Sequence, residues 1–452
     1  MTFFRTTTCL LLLALLAGCA SSSVFNPWPQ QAESWRQMLT TDQHDAAMMR
    51  LNRGTEGRDR LLFLQERARV AQLAGDYQSS VEDFRSVIQL YDDQDREALF
   101  RLTGAGAGGA AMLTNDNAIP YSGEDYERIM SHGLQALNYW ALGELDSAAV
   151  EFRRVTLEQQ VAQQQRDREI ARARERAADE EISLDQQSHW LSNLNAAAGE
   201  VRSSIQNAWF YYLAGVFREG VGDYNNAIVD YRKALEIHPR MPLLREDIER
   251  VSAKQEGRYQ SDNGLVVIAY EQGLIPPKRE INLPIPTLEG YVSVAFPSYD
   301  PQDRRPPVPI RVRGPEQHAE GEVLADLSAM SARALREAAP AMLVRQTLRA
   351  MAKYQTQKRA NEDFGLFGAF ATQIYNLVSE QADLRSWLTL PANTQIARLE
   401  LPPGEHSLLL SASGGSARVE VPVVSGGITL LRVHDATGKL STHVMPVLEV
   451  QR

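Results

Sequence analysis

Three segments in the first half of the chain repeat one pattern of residue types. Each begins with a glycine, has an aromatic residue or leucine two positions later, a small residue after five and an aromatic residue after nine. The glycines are Gly75, Gly143 and Gly222, which are 68 and 79 residues apart. Glycine permits a positive φ between two helices, and a small residue lets the helices approach closely. The pattern therefore predicts stacked helical hairpins and confines this part of the chain to an all-helical array.

The pattern resembles the tetratricopeptide repeat, a helix–turn–helix unit of about 34 residues. The first interval is twice that period, and the second leaves room for an insertion. The third copy is the most complete, because Tyr211, Gly215 and the terminal Pro239 also fit. The resemblance implies an α-solenoid whose surfaces bind peptides or proteins.

A glycine-rich stretch within this half fits the spacing GxGxxG at Gly104, Gly106 and Gly109. A dinucleotide fingerprint must follow a strand and open a helix. The preceding residues, "REALFRLT", have the pattern of an amphipathic helix, and no Gly-Lys-Ser/Thr follows. We therefore expect no nucleotide or other cofactor at these glycines, and interpret them as a turn in a degenerate middle repeat.

The periodicity changes near residue 260, which indicates an α+β protein of several domains. Residues 34–256 are predicted to form the tetratricopeptide-like solenoid, with a charged helical insertion near 158–207. The insertion is expected to be a solvated helix, or alternatively a coiled-coil arm that docks a partner. Residues 264–452 predict a β-rich, sandwich-like domain with a helical block near 323–385, and strands on both sides of the block are expected to share one sandwich.

An apolar stripe follows the middle of that helical block, at 364–378. Its polar positions include Gln373 and Asn376 rather than the basic residues that suit lipid headgroups. We expect the stripe to belong to the core, with contact to a membrane or a partner as the alternative.

The N-terminal residues predict where in the cell the protein is located. Residues 1–18 have one positive charge and a short apolar run, as in a secretory signal peptide, and the run ends on Cys19. The ending "LAGC" resembles the bacterial lipobox, which implies an acylated Cys19 followed by a tether over 19–33. The resemblance, with Ala20 rather than aspartate after the cysteine, implies the periplasmic face of the outer membrane in a Gram-negative bacterium.

Composition excludes further classes of function. The only other cysteine, Cys9, lies in the predicted signal, so the mature chain has no disulfide. The full chain has a formal net charge of −10, which argues against nucleic acid as a partner. The eight histidines form no paired metal motif, and no GxSxG elbow occurs, so we expect neither a metal site nor an enzyme.

Three further stretches resemble an uncharacterised family of Gram-negative outer-membrane lipoproteins with tetratricopeptide-like repeats. They are Leu113–Val155, Gly264–Lys278 and Ala382–His406. The residues that match in the first are Asn115-Asp116, Pro120-Tyr121, Gly123, Glu127, His132, Ala136-Leu137-Asn138-Tyr139, Gly143, Glu151 and Arg153-Arg154. No activity follows from this resemblance.

The first stretch contains residue types that a repeat does not need for packing. Aromatic residues of this kind are common at binding hot spots, whereas Asn and Asp also suit caps and turns. We hypothesise a partner-binding surface there, formed by Asn115, Asp116, Tyr121, Glu127, Tyr139 and Trp140.

These features together predict a lipid-anchored scaffold that binds envelope proteins through its repeats, in assembly or maintenance of the cell envelope. The alternative is a cell-wall or lipid-acting enzyme, or an activator of a peptidoglycan synthase, with its site in the β-rich half.

Overall fold

A computed structural model describes residues 26–103, 117, 119–180, 182, 188–287, 290–352, 381–413, 415–436 and 438–450. Several predictions lie outside these residues: the signal peptide, Cys19, the glycines of the GxGxxG stretch, Asn115, Asp116 and the apolar stripe at 364–378.

The first half is helical, as predicted. Its helices are α1 (Trp28–Thr40), α2 (His44–Leu51), α3 (Arg60–Leu73), α4 (Tyr77–Thr103), α5 (Asp125–Ala141), α6 (Leu145–Asp179), α7 (Ser188–Ala198), α8 (Ala208–Gly220), α9 (Tyr224–Ile237) and α10 (Pro242–Gln255). A further helix, α11, is described over residues 327–352.

The three sequence repeats are helical hairpins. The pairs α3–α4, α5–α6 and α8–α9 turn at Gly75, Gly143 and Gly222, where φ is +80°, +75° and +84°. The small residue and the second aromatic residue of each repeat are fully buried, at Ser80 and Phe84, Ala148 and Phe152, and Ala227 and Tyr231. The sequence pattern is therefore a packing pattern, and the predicted tetratricopeptide-like array is confirmed.

The second half is rich in strands. They are β1 (Gly264–Gln272), β2 (Arg279–Thr287), β3 (Gly290–Ser298), β4 (Arg311–Arg313), β5 (His318–Glu320), β6 (Glu322–Ala325), β7 (Asn393–Leu401), β8 (Gly404–Ala412), β9 (Gly415–Val423), β10 (Ile428–His434) and β11 (Ser441–Val444). One sheet has the order β11-β10-β1-β7-β6, a second has the order β5-β4-β8-β9, and β2 and β3 form a separate hairpin. The first two sheets each combine strands from both sides of α11.

The five-stranded sheet lies between the helices and the four-stranded sheet. On β1, Leu265, Val267 and Ala269 join the core of the helical half, whereas Val266 and Ile268 join the core between the two sheets. This alternation follows from the two-residue period of a strand. The α+β fold with a sandwich-like second half is confirmed, and one hydrophobic core runs from the repeats into the sheet.

The structure corrects the predicted bounds of two segments and the predicted solvation of a third. Helix α1 begins at Trp28, inside the predicted tether, because Trp28 and Trp35 are buried against Phe63. The helical block is shorter than 323–385, since 322–325 is strand β6 and residues 381–387 have no regular secondary structure.

The third correction concerns the charged insertion. Helix α6 is not solvated all round, because it buries a narrow stripe of residues three, four or seven positions apart. The stripe consists of Val155, Gln159, Ala162, Arg166, Ala173 and Ala177. In the part of the chain that the structure describes, no helix has the length and apolar character that a membrane span requires.

Candidate peptide-binding face of the repeats

The first helix of each hairpin is buried on nearly every side. In α8 every residue except Arg218 is buried, and in α3 the buried positions include charged Glu66 and Arg69. The second helices, such as α9, expose one side to solvent. The first helix of each hairpin is therefore also buried on the side that faces away from the second helix. The residues that bury this side belong to the β-rich half.

The cover over the first two repeats is a short stretch that precedes β7, which we call the covering segment (residues 382–390). Residues 382–387 have no regular secondary structure, and the chain turns over 388–390. It contacts a set of residues that we call the repeat face, formed by Glu66 and Arg69 of α3, Phe84 of α4 and Glu127 of α5.

Two carboxylates of the repeat face hold the backbone of the covering segment. The backbone N–H of Trp387 donates to Glu127 Oε1 at 2.8 Å. The N–H groups of Leu388 and Thr389 donate to Glu66 Oε1 at 2.7 Å and Oε2 at 3.1 Å. Carboxylates of helices thus supply the acceptors that a neighbouring strand supplies in a sheet.

Two side chains of the covering segment, those of Arg385 and Trp387, make specific contacts with the helical half. The Arg385 guanidinium donates to Asp59 at 2.6 Å and to the Ile119 carbonyl at 3.0 Å, and lies 5.3 Å from the centre of the Tyr121 ring. The Trp387 ring lies 5.9 Å from the Phe84 ring. Charge pairing, cation–π contact and aromatic packing therefore all act on these two side chains.

The two carboxylates are fully buried and strongly perturbed. Burial raises the pKa of Glu66 to about 7, against the opposing effect of its hydrogen bonds and of Arg36. Burial likewise raises the pKa of Glu127 to about 7, helped by Glu124 and opposed by hydrogen bonds from Tyr121 and Trp387. Within the described residues, neither carboxylate has an ion-pair partner in direct contact, and both are held by hydrogen-bond donors.

A buried lysine connects this region to the start of β2. Lys278 Nζ donates to Glu124 Oε1 at 3.2 Å and to the Arg385 carbonyl at 3.1 Å. Glu124 also caps α5 in a capping box with Glu127, in which each side chain bonds to the backbone of the other residue. The N-terminus of α5, Lys278 and the covering segment are therefore fixed together.

Beyond the covering segment, the five-stranded sheet continues the cover through a buried ion cluster. Glu271 of β1 pairs with Arg69 of α3 and accepts a hydrogen bond from Arg432 Nε of β10 at 2.6 Å. Burial opposes ionisation of Glu271, but the two guanidinium groups outweigh it and lower the pKa of Glu271 to about 2. Arg432 also donates to Gln72 at 2.7 Å, so the cluster joins helices to sheet.

The residues predicted to form a partner surface are buried. Glu127 and Trp140 are fully buried, and Tyr121 and Tyr139 are 6% and 7% exposed. Tyr121 Oη donates to Glu127 Oε2 at 2.7 Å, so these two residues come together beneath the covering segment. Their side chains are covered by the chain itself, which corrects the expectation of an exposed surface.

The other two described members of that set lie elsewhere. Trp140 Nε1 donates to the Pro446 carbonyl at 3.0 Å, and Tyr139 Oη accepts from Arg85 Nε at 3.0 Å. They do not share one site with Tyr121 and Glu127.

Sequence reasoning missed Glu66, Arg385 and Trp387. Glu66 and Arg385 are ordinary helix and loop residues in sequence. The contacts of Glu66 with Leu388 and of Arg385 with Asp59 each join residues more than 300 positions apart. The only indication in the sequence was the resemblance of Ala382–His406 to the lipoprotein family, since this stretch includes the covering segment. Among the described residues, no three His, Cys, Asp or Glu side chains are grouped as metal ligands.

Comparison with known proteins identifies one unit of the array. A tetratricopeptide repeat matches residues 210–240, which contain most of α8, the turn at Gly222 and α9. No curated protein and no solved structure matches the chain. Tetratricopeptide repeats act in protein–protein interaction, and the repeats of this chain indicate a scaffold of that kind.

Proposed function

We propose that this chain is a protein-binding scaffold without catalytic activity of its own, held by an acylated Cys19 on the periplasmic face of the outer membrane. The single observation that supports the binding role most strongly is the way the repeats hold the covering segment. They hold a segment without regular secondary structure by its backbone, one arginine and one tryptophan, and these are contacts that a peptide receptor would use.

The proposed anchor is supported by the lipobox-like sequence and by the resemblance to Gram-negative lipoproteins. Eight residues, 20–27, separate Cys19 from α1. A fully extended chain of this length spans about 30 Å. An acylated Cys19 would therefore keep the repeats close to the membrane surface, where envelope proteins are their partners.

Crosslinking in intact cells, followed by membrane fractionation and purification of the chain, tests this function. We expect the wild-type chain in the outer-membrane fraction with a reproducible protein partner. Cys19→Ser should leave that fraction as a soluble or uncleaved form and lose the partner. Cys9→Ser is the matched control, since Cys9 lies within the predicted signal, and it should behave as wild type. A Cys19→Ser chain that still fractionates with the outer membrane contradicts the anchor.

A further inference from the structure

We propose that the repeat face is a peptide-binding site which residues 382–390 occupy in cis, and that its partner is a peptide with an arginine two residues before a tryptophan. This inference rests on the proposed protein-binding role. It adds the chemistry of the ligand and a regulatory contact, because the chain's own segment and a partner cannot occupy the face together.

The first argument is the kind of contact that holds the segment. Three consecutive N–H groups, of residues 387, 388 and 389, donate to side-chain carboxylates. Arg69 Nε donates in return to the Thr389 carbonyl at 3.4 Å. Contacts to the backbone do not depend on side-chain identity, so a peptide that makes the same turn with free N–H groups at these positions can form them.

The second argument is selectivity. Asp383, two residues earlier in the segment, orients the Arg385 guanidinium through hydrogen bonds of 2.9 and 2.7 Å. On the repeats, Arg385 donates to Asp59 and lies over the face of Tyr121, and Trp387 packs on Phe84. A peptide that lacks this arginine loses the hydrogen bond to the buried Asp59 carboxylate and the contact with the Tyr121 ring. The site therefore favours an Arg-x-Trp sequence and rejects proline at the tryptophan and at the two positions after it.

The third argument is electrostatic. The closed arrangement buries two carboxylates, Glu66 and Glu127, that have no cation in direct contact in the described part of the chain. Burying a charge without a paired charge is unfavourable, and release of the segment would return both groups to water. This opposition to closure lowers the free energy needed to release the chain's own segment, which must leave before a partner can occupy the face.

Titration of the full chain with a labelled synthetic peptide of residues 381–392 tests the inference. The wild-type chain should bind the peptide weakly, because its own segment competes. The double variant Arg385→Ala with Trp387→Ala should bind it at least tenfold more tightly. Val229→Ala, on the exposed side of α9 and outside the covering segment, is the control and should match wild type. A peptide with proline in place of Leu388 should not bind the double variant.

A folded double variant that fails to bind the peptide overturns the inference, and so does equal binding by wild type and double variant. Dimers of the peptide-free wild-type chain would place the segment of a second copy on the face and would overturn the assignment in cis. The titration uses purified protein and does not depend on Cys19, so its failure is distinguishable from failure of the envelope role.

If the double variant does not fold, limited trypsin digestion of the wild-type chain decides. Arg385 and Arg69 are both buried, at 2% and 1% side-chain exposure. Release of the segment should make the bond after Arg385 cleave at least tenfold faster than the bond after Arg69. Equal initial rates would show that the segment leaves only when the protein unfolds, and would overturn the inference.

Discussion

At the scale of single residues, Glu66 and Glu127 determine how the two halves of the chain meet. Each carboxylate is fully buried and accepts a hydrogen bond from the backbone of the covering segment. The hydrogen bonds favour the ionised form and burial disfavours it, and burial has the larger effect on both pKa values. These two residues therefore make the free energy of unfolding depend on pH in a way that the sequence alone does not predict.

The pKa of both groups is about 7 in the folded chain and 4.5 ordinarily, so the folded state retains protons that the unfolded state has released. Their contribution to the free energy of unfolding is therefore fully present below pH 4.5 and is lost as the pH rises through 7. His434 has the opposite effect below pH 6.5, because its pKa is lowered to about 3. We predict that the melting temperature of wild type falls between pH 6.5 and 8 relative to that of Glu66→Gln with Glu127→Gln. Parallel curves would contradict the prediction.

Sequence reasoning reached part of this site. Tyr121 and Glu127 were predicted to act together, and they do lie in contact. Their exposure was predicted wrongly, because burial here depends on a segment some 260 residues away in sequence. The local sequence pattern does not indicate contacts between residues so far apart in the chain. Glu66 was missed because its partners in the covering segment are likewise distant in sequence.

At the scale of elements, the repeats were the part that sequence predicted best. Gly, a small residue and an aromatic residue meet within one hairpin, so their spacing is sufficient to predict their contact. The GxGxxG prediction, no nucleotide, lies outside the described residues and stays a prediction. Helix α6 was predicted less well, since its buried stripe consists of small and polar side chains rather than large apolar ones.

We predict that Ala227→Leu lowers the free energy of unfolding by about 1–3 kcal/mol. Ala227 is fully buried between the helices of the third repeat, and a larger side chain overpacks that space. Val229→Leu is the control on the same helix, because Val229 is 45% exposed, and it should change stability little. Chemical denaturation measures both. Equal stability of Ala227→Leu and wild type would count against the packing role.

At the scale of the whole molecule, the repeats and the sheet share one core and one ion cluster. The sandwich could be predicted, because its strands alternate clearly between apolar and polar residues. Its docking on the repeats could not, since buried strands such as β1 are apolar on both faces and do not identify what covers each face. The polar residues at the ends of those strands, Glu271 and Arg432, are the ones that specify the docking.

We predict that Glu271→Gln destabilises the chain by about 3 kcal/mol or more, because it leaves two buried guanidinium groups without their carboxylate. Glu420→Gln, on the exposed face of β9, should have little effect. Thermal unfolding followed by circular dichroism measures the change. Because the cluster joins both halves, helix and strand signals should be lost in one transition at a lower temperature. Loss of the strand signal alone would contradict a shared core.

The central claim is that the repeats hold residues 382–390 as a ligand rather than as a fixed part of the core. Hydrogen exchange on the wild-type chain tests it most directly, with no substitution. The account predicts that the amides of Trp387, Leu388 and Thr389 exchange at least tenfold faster than those of Ile396 and Ala397 in the neighbouring strand β7. Equal exchange rates in the two groups would mean that the segment opens only when the whole protein unfolds, and would contradict the account.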